Sequence, residues 1–127
     1  MNINLKWRRG LYLMVLFYIL SGINHFRNPD AYLPVIPGYL PYPELLNSIS
    51  GFAEIFLGML LLFPKTRTVA AYLVMLMLVF FIPVHVRMVE TGWCIREVIC
   101  FPQWVIWLRL LVLQPLLIFW AWRVKEA

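Results

Sequence analysis

Among the ionisable side chains within or beside the apolar stretches of this chain, four are candidates for chemistry: His25, Glu54, His85 and Arg109. An ionisable group inside a membrane-crossing segment is energetically costly, so each one is by default a candidate functional group. A carboxylate, two imidazoles and a guanidinium supply the donors and acceptors that a polar binding site needs. Whether they act together depends on the helices that position them.

Glu54 lies near the middle of the second apolar stretch, about 15 Å from Glu44 at about 1.5 Å of rise per helical residue. At about 100° per residue, Gly51 and Gly58 fall about 20° apart on the helix, and Glu54 lies about 60° away. Small residues allow two helices to approach closely. We therefore expect the carboxylate to point into a helix bundle and away from lipid.

Arg109 lies about 9 Å along the last apolar stretch from Gln103. Two interpretations of its position stay open. The long side chain can extend towards the outer headgroups, or it can form an ion pair with Glu54 across the bundle interior. Such a pair could be purely structural.

The two histidines lie at a similar outer depth, since His25 ends the first apolar stretch and His85 lies in the outer part of the third. Asn24 and Gln103 are available at the same level. This arrangement predicts a polar pocket on the outer side. A metal site is not predicted, because His25, His85 and Glu54 would come from separate helices without the spacing of a metal motif.

The composition places the chain in a bilayer. Of its 127 residues, 63% are hydrophobic and only 13% are charged, whereas a soluble domain has about a quarter of its residues charged. The net charge of +5 does not predict nucleic-acid binding, because the basic residues form no continuous stripe. Phosphate-binding loops, nucleophile elbows and zinc motifs are absent from the sequence, so the question of catalysis stays open.

The apolar stretches predict an all-α membrane protein, a bundle of four transmembrane helices with a proline- and aromatic-rich outer loop. A helical span needs about 20 mainly apolar residues, and the backbone in lipid must satisfy its own hydrogen bonds. The predicted single integral membrane domain covers residues 1–127, with spans at about 9–24, 44–63, 68–89 and 103–122. Pro83 and Pro115 lie within spans and predict helix irregularities.

The basic residues predict the orientation. One side of the membrane receives Lys6, Arg8, Arg9, Lys65, Arg67, Arg123 and Lys125, and the other receives Arg27 and Arg96, with Arg87 near its boundary. The positive-inside rule then places both termini in the cytoplasm of a multi-pass protein, which we expect in a bacterial inner membrane.

The first outer loop, about residues 25–43, contains Pro29, Pro34, Pro37, Pro41 and Pro43. This proline density excludes one regular helix through the loop. The loop is also too apolar for a solvated linker. It could form an interfacial belt of aromatic residues or a cap over the outer mouth of the bundle, and the two interpretations are compatible.

The second outer loop contains Cys94 and Cys100, the two cysteines of the chain. Because the predicted orientation places both outside, a structural disulfide is the first expectation. Free thiols come second. A redox-active pair comes third, because the spacing is not that of a C-x-x-C motif.

Three stretches carry a family resemblance: "SGINHFRNPDAYLPVIPGYLP" from Ser21, "ISGFAEIFLGMLLLFPKTR" from Ile49 and "AAYLVMLMLVFFIPVH" from Ala70. Together they resemble the DoxX-like family of small four-helix membrane proteins. The resemblance extends from about Ser21 to Arg87, and the elements follow in the same order. Many members have an asparagine after the third-span proline, where this chain has "IPVH" with His85.

The resemblance implies that His25, Glu54 and His85 line an outer-side pocket. Founding relatives resemble small membrane subunits of a thiosulfate:quinone oxidoreductase. The resemblance therefore also implies a redox-associated accessory subunit whose pocket takes a quinone or another lipophilic small molecule.

Two alternatives remain. One is a non-catalytic membrane partner or assembly factor, bound to another membrane protein or to a second copy of itself. The other is a small proton-coupled transporter, suggested by Glu54 and Arg109.

Overall fold

The computed structural model describes residues 5–95 and 99–127. Its helices are α1 (Leu5–Arg27), α2 (Pro43–Leu62), α3 (Pro64–Phe80), α4 (Ile82–Thr91), α5 (Gln103–Leu108) and α6 (Gln114–Val124). A two-stranded antiparallel hairpin pairs β1 (Cys94–Ile95) with β2 (Ile99–Cys100), and Cys94 lies opposite Cys100. Arg96, one of the residues behind the predicted orientation, lies outside the described residues.

Three helical segments of the described chain are long and apolar enough to cross a membrane. They are Pro43–Leu62, Pro64–Thr91, which combines α3 with α4, and Gln103–Val124, which combines α5 with α6. The predicted helical, membrane-type fold is confirmed to this extent. Whether the 23-residue α1 also spans the membrane stays a prediction.

α1 and α2 pack closely along most of their lengths. Gly51 faces α1 so tightly that a methyl group at its Cβ position would lie 2.7 Å from the Cβ atom of His25. Gly58, about two turns further along α2, packs against α1 near Val15 and Ile19. Gly51 and Gly58, which we call the glycine strip of α2, therefore allow the close helix approach that their spacing predicts.

The main hydrophobic core joins α1, α2, α3 and α6. It contains Leu11, Met14, Tyr18, Leu57, Leu61, Ala70, Ala71, Val74, Leu78, Leu117 and Ala121. Most other large apolar side chains are exposed, as expected for helix faces that contact lipid.

One end of the bundle gathers the first residues of α1, the α2–α3 turn and the end of α6. Phe63 alone separates α2 from α3, and Arg67 in this turn hydrogen-bonds the Leu61 and Ala127 carbonyl oxygens. Arg123 near the end of α6 lies 4.6 Å above the ring of Trp7. The start of α1, the α2–α3 turn and the end of α6 therefore share one end of the protein.

Two prolines interrupt long helices. The segment Pro64–Thr91 breaks at Phe81, two residues before Pro83, and continues as α4. A π-helical turn, Arg109–Leu113, separates α5 from α6 just before Pro115, and the Gln114 amide donates to the Arg109 carbonyl. Proline lacks the amide hydrogen that a regular helix needs, so both interruptions lie where the sequence predicts them.

The first outer loop is ordered as two short 3₁₀ turns, Pro29–Ala31 and Leu33–Val35. Val35 packs with Met88 and Ile106 in a second small core, and the Trp93 indole donates a hydrogen bond to the Ala31 carbonyl at 3.2 Å. The loop is thus packed against α4, α5 and the hairpin. We call residues 28–42 the outer cap.

A candidate binding pocket under the outer cap

A cavity of about 460 Å³ lies between the outer cap and the helices. All four ionisable residues singled out from the sequence line it: His25 from α1, Glu54 from α2, His85 from α4, and Arg109 from the π-helical turn. The rest of the wall is mostly apolar and aromatic, and includes Tyr32, Ile36, Tyr39, Leu40, Leu46, Phe80, Phe81, Val84, Met88 and Trp93. The structure therefore brings groups from four distant parts of the sequence to one place.

His25 is held by Asn47, a residue that the sequence analysis missed. The Nδ1 atom of His25 lies 2.7 Å from Asn47 Oδ1, and Asn47 Nδ2 donates to the His25 carbonyl oxygen at 3.0 Å. Both residues are buried. Asn47 lies seven residues, about two helical turns, before Glu54. That spacing places Asn47 on the same face of α2 as the glycine strip. It is the signal by which the sequence could have indicated Asn47 as a site residue.

Glu54 pairs with His25. Their Nε2 and Oε2 atoms lie 3.2 Å apart, and both side chains are nearly inaccessible to solvent. This contact is at ion-pair distance, but Glu54 Oε2 has no partner that meets the geometry of a directed hydrogen bond within the described chain. The pair is therefore a close but imperfectly aligned contact between α1 and α2.

Arg109 does not form the ion pair with Glu54 that the sequence left open. Its Nη1 atom instead donates to Gln114 Oε1 at 3.0 Å, and Gln114 Nε2 donates to the Leu78 carbonyl at 2.6 Å. Gln114 is 1% exposed, so this bridge to α3 is an interior one. It holds Arg109 at the cavity wall, and Gln114 is a second residue that the sequence analysis missed.

His85 follows the break at Phe81 by one turn and is 5% exposed. Its Nδ1 atom has no hydrogen-bond partner among the residues that the structure describes. A buried polar atom without a partner is costly, which makes this imidazole a candidate for contact with a ligand or water.

Tyr32 forms the roof over His25. The two rings stack with their centroids 3.8 Å apart and an interplanar angle of 19°. Asn24 Nδ2 donates to the Tyr32 hydroxyl at 2.7 Å, and Asn28 in turn donates to Asn24 Oδ1. Burial raises the pKa of Tyr32, which favours the neutral phenol. Asn24 thus supports the roof without lining the cavity.

Gln103 lies away from the cavity. Its Nε2 atom donates to the Val89 carbonyl at 2.9 Å, at an exposed position. It therefore links the start of α5 to the end of α4, and the structure does not group it with the other predicted site residues.

A disulfide joins Cys94 and Cys100 across the hairpin, with an S–S distance of 2.09 Å. Next to it, the ring of Trp93 stacks on Phe101 with centroids 4.3 Å apart. Because Trp93, the residue before β1, also lines the cavity, the start of the hairpin adjoins the cavity's outer wall. Within residues 5–95 and 99–127, no three His, Cys, Asp or Glu side chains are grouped as a metal site would require.

Residues 14–125 match the family described as Domain of unknown function (DUF8561). No curated protein and no solved structure matches the chain.

Proposed function

The chain belongs to the DUF8561 family, and we propose that it is an integral membrane protein whose outer cavity binds a quinone or another lipophilic small molecule. In this proposal the protein is a redox-associated accessory subunit, and the cavity is its ligand site. No self-sufficient catalytic group is assigned.

The size and lining of the cavity are the main support for the proposal. Its volume of about 460 Å³ falls in the range of about 300–1,000 Å³ that is usual for small-molecule sites. Such sites combine apolar walls with a few polar groups that orient the ligand. Here aromatic side chains from the cap and helices surround His25, Glu54, His85 and Arg109. A ligand with an apolar ring and polar oxygens fits this chemistry.

The most exposed residues of the cavity wall support a ligand that dissolves in lipid. Phe80 and Tyr39 both line the cavity, yet they are 70% and 77% exposed. Phe80 lies at the end of α3, within the most apolar of the three candidate spans that the described chain contains. A molecule in the outer leaflet could therefore reach the cavity beside Phe80 without crossing the cap.

The orientation belongs to the same proposal. Arg67, Arg123 and Lys125 lie at the end of the bundle that holds the start of α1 and the end of α6, and the cavity lies near the other end, under the cap. The positive-inside rule favours a cytoplasmic position for the basic end. We place α1 as the fourth span, both termini in the cytoplasm, and the cavity on the outer side of a bacterial inner membrane.

The DoxX-like resemblance supports the redox association. The stretches that carry it contain His25, Glu54 and His85, and these three residues line the cavity. The redox link rests on that resemblance, whereas the ligand site rests on the cavity.

The test is purification in native lipid, followed by mass spectrometry of everything that stays bound. We expect a quinone or another lipophilic small molecule at near-stoichiometric amounts, and its loss when Glu54→Leu and His85→Leu are combined. The control is Gln103→Leu, which changes a polar residue outside the cavity. A stoichiometric partner protein with no small molecule would favour the partner or assembly-factor alternative.

A further inference from the structure

We propose that the linked side chains of Asn47, His25 and Glu54 present a hydrogen-bond acceptor to the cavity. The cavity then prefers a lipophilic ligand that carries a hydroxyl group. This inference rests on the proposed ligand site and specifies the chemistry of its ligand. For a quinone-type ligand, it means that the reduced hydroquinone binds more tightly than the quinone.

Asn47 sets the tautomer of His25. Asn47 Nδ2 donates to the His25 carbonyl oxygen, and a carbonyl can only accept, so this bond fixes which end of the amide is the NH₂ group. The other end, Oδ1, lies 2.7 Å from His25 Nδ1. Because Oδ1 can only accept, His25 Nδ1 must carry a hydrogen.

Nε2 of His25 and Oε2 of Glu54 lie 3.2 Å apart, and with Nδ1 already protonated a neutral imidazole would turn a lone pair towards the carboxylate. A single proton between the two atoms removes that repulsion at ion-pair distance, although the contact is poorly aligned for a directed hydrogen bond. It resides either on His25, giving an imidazolium and a carboxylate, or on Glu54, giving an imidazole and a carboxylic acid.

In both protonation states the bridging proton lies at Oε2, so Oε1, the second carboxyl oxygen of Glu54, carries lone pairs and acts as an acceptor. Oε1 accepts no hydrogen bond from the part of the chain that the structure describes. Arg109 and His85, which line the cavity from other helices, form no ion pair with Glu54, and the buried Tyr18 hydroxyl of α1 makes no hydrogen bond to it. The acceptor is therefore left for a ligand.

The consequence is selection for a donor. A ligand hydroxyl can donate to Glu54 Oε1, whereas a carbonyl or ether oxygen at that position would face another acceptor. A hydrogen bond to a charged group is about twice as strong as one between neutral groups, enough to change an affinity about tenfold. We expect a hydroquinone to bind at least about tenfold more tightly than ligands of the same shape without the donor.

The experiment is anaerobic calorimetry on the full-length protein in lipid nanodiscs. The three probes are a decyl-substituted benzohydroquinone, the corresponding quinone and the corresponding dimethyl ether. We expect the hydroquinone to bind most tightly and the ether to bind as weakly as the quinone. Glu54→Leu should abolish the difference. Glu54→Gln should keep part of it, because a glutamine can donate to His25 and still present its oxygen.

The matched controls lie on α2. Asn47→Leu should reduce the preference, since it frees the tautomer of His25 while leaving Glu54 in place. Ser48→Ala changes an exposed serine of the same helix that does not line the cavity and should keep the preference. If the quinone binds as tightly as the hydroquinone, the inference is wrong and the ligand site stands. If none of the three probes binds, the proposed quinone-type site is wrong as well.

A second measurement does not depend on any ligand. The chain has two histidines, so His85→Gln leaves a single imidazole to observe with isotope-labelled histidine. Nitrogen NMR should then show a hydrogen on Nδ1 of His25. A neutral His25 with its hydrogen on Nε2 would overturn the inference, even in a protein that binds hydroquinone.

Discussion

Gly22 of α1 and Gly51 of α2 meet with their backbones in direct contact. A Cβ atom on Gly22 would lie 2.5 Å from the Gly51 carbonyl oxygen and 2.6 Å from Ile55 Cγ1. This crossing brings His25, one turn after Gly22, beside Asn47 and Glu54 on α2. The geometry of the His25–Glu54 pair is therefore set by two residues that have no side chain.

Gly22→Ala should destabilise the protein and disturb the pocket together. The new methyl group would overlap backbone atoms, which cannot move without separating α1 from α2, and overpacking of this kind costs about 1–3 kcal/mol. We expect a lower Tm in detergent or nanodiscs and weaker retention of the bound molecule. Gly38→Ala is the control, because no atom lies within 4 Å of its Cβ position. An unchanged Tm for Gly22→Ala would show that the helices are less tightly packed than described.

Gln114→Leu should show that the interior bridge positions Arg109. The substitution leaves the Leu78 carbonyl without its donor and Arg109 without its acceptor, and an unsatisfied buried polar group costs about 1–3 kcal/mol. We expect a reduced Tm and a reduced affinity for the ligand. Gln103→Leu removes an exposed glutamine bond of similar length and should change neither by a comparable amount.

The ionisable site residues could be predicted from the sequence because each stands out against an apolar background. Glu54 and Arg109 are conspicuous within spans, and His25 and His85 lie at the ends of predicted helical regions. The structure gathers all four at one cavity. Their partners could not be predicted in the same way, since the identity of a hydrogen-bond partner depends on how the helices are rotated and offset.

Glu54 illustrates this limit. From the sequence, an ion pair with Arg109 is one open interpretation, because the two charges are opposite. The close approach of α1 and α2 instead places His25 beside the Glu54 carboxyl group. Arg109 is instead held by Gln114, five residues further along the chain, where the π-helical turn changes the direction of the side chains. The proline at position 115 signalled the irregularity, although not its form.

The stacked ring of Tyr32 should matter more than its hydroxyl group. Tyr32→Phe keeps the ring over His25 and removes only the hydrogen bond from Asn24, so we expect a loss of about 0.5–1.5 kcal/mol in stability and near-normal ligand retention. Tyr32→Ala removes the roof and should release the ligand. Dissociation rates measured by dilution of the ligand-bound protein will separate the two. Equal rates for both variants would argue against the cap as a lid.

Reduction of the Cys94–Cys100 disulfide should loosen the outer wall of the cavity. The hairpin carries Trp93, which lines the cavity and is tied to the cap through Ala31. We expect the Cys94→Ser, Cys100→Ser double variant to keep its helical circular dichroism but to show a lower Tm and faster ligand exchange. Trp93→Phe, with the disulfide intact, is the variant whose Tm and ligand exchange are compared with those of the double variant. If the double variant exchanges ligand at the normal rate, the disulfide has no role in holding this wall.

The proposed orientation predicts which positions react with a membrane-impermeant thiol reagent. In the Cys94→Ser, Cys100→Ser background, Tyr39→Cys introduces a thiol at a highly exposed position of the cap. Glu126→Cys introduces one at the opposite end, where the Glu126 side chain is 80% exposed. In spheroplasts we expect labelling at position 39 only, and labelling at position 126 after lysis. The reverse pattern would place the basic end outside. Labelling of both positions before lysis would contradict the three spans that separate them, Pro43–Leu62, Pro64–Thr91 and Gln103–Val124, because an odd number of spans puts the two positions on opposite sides.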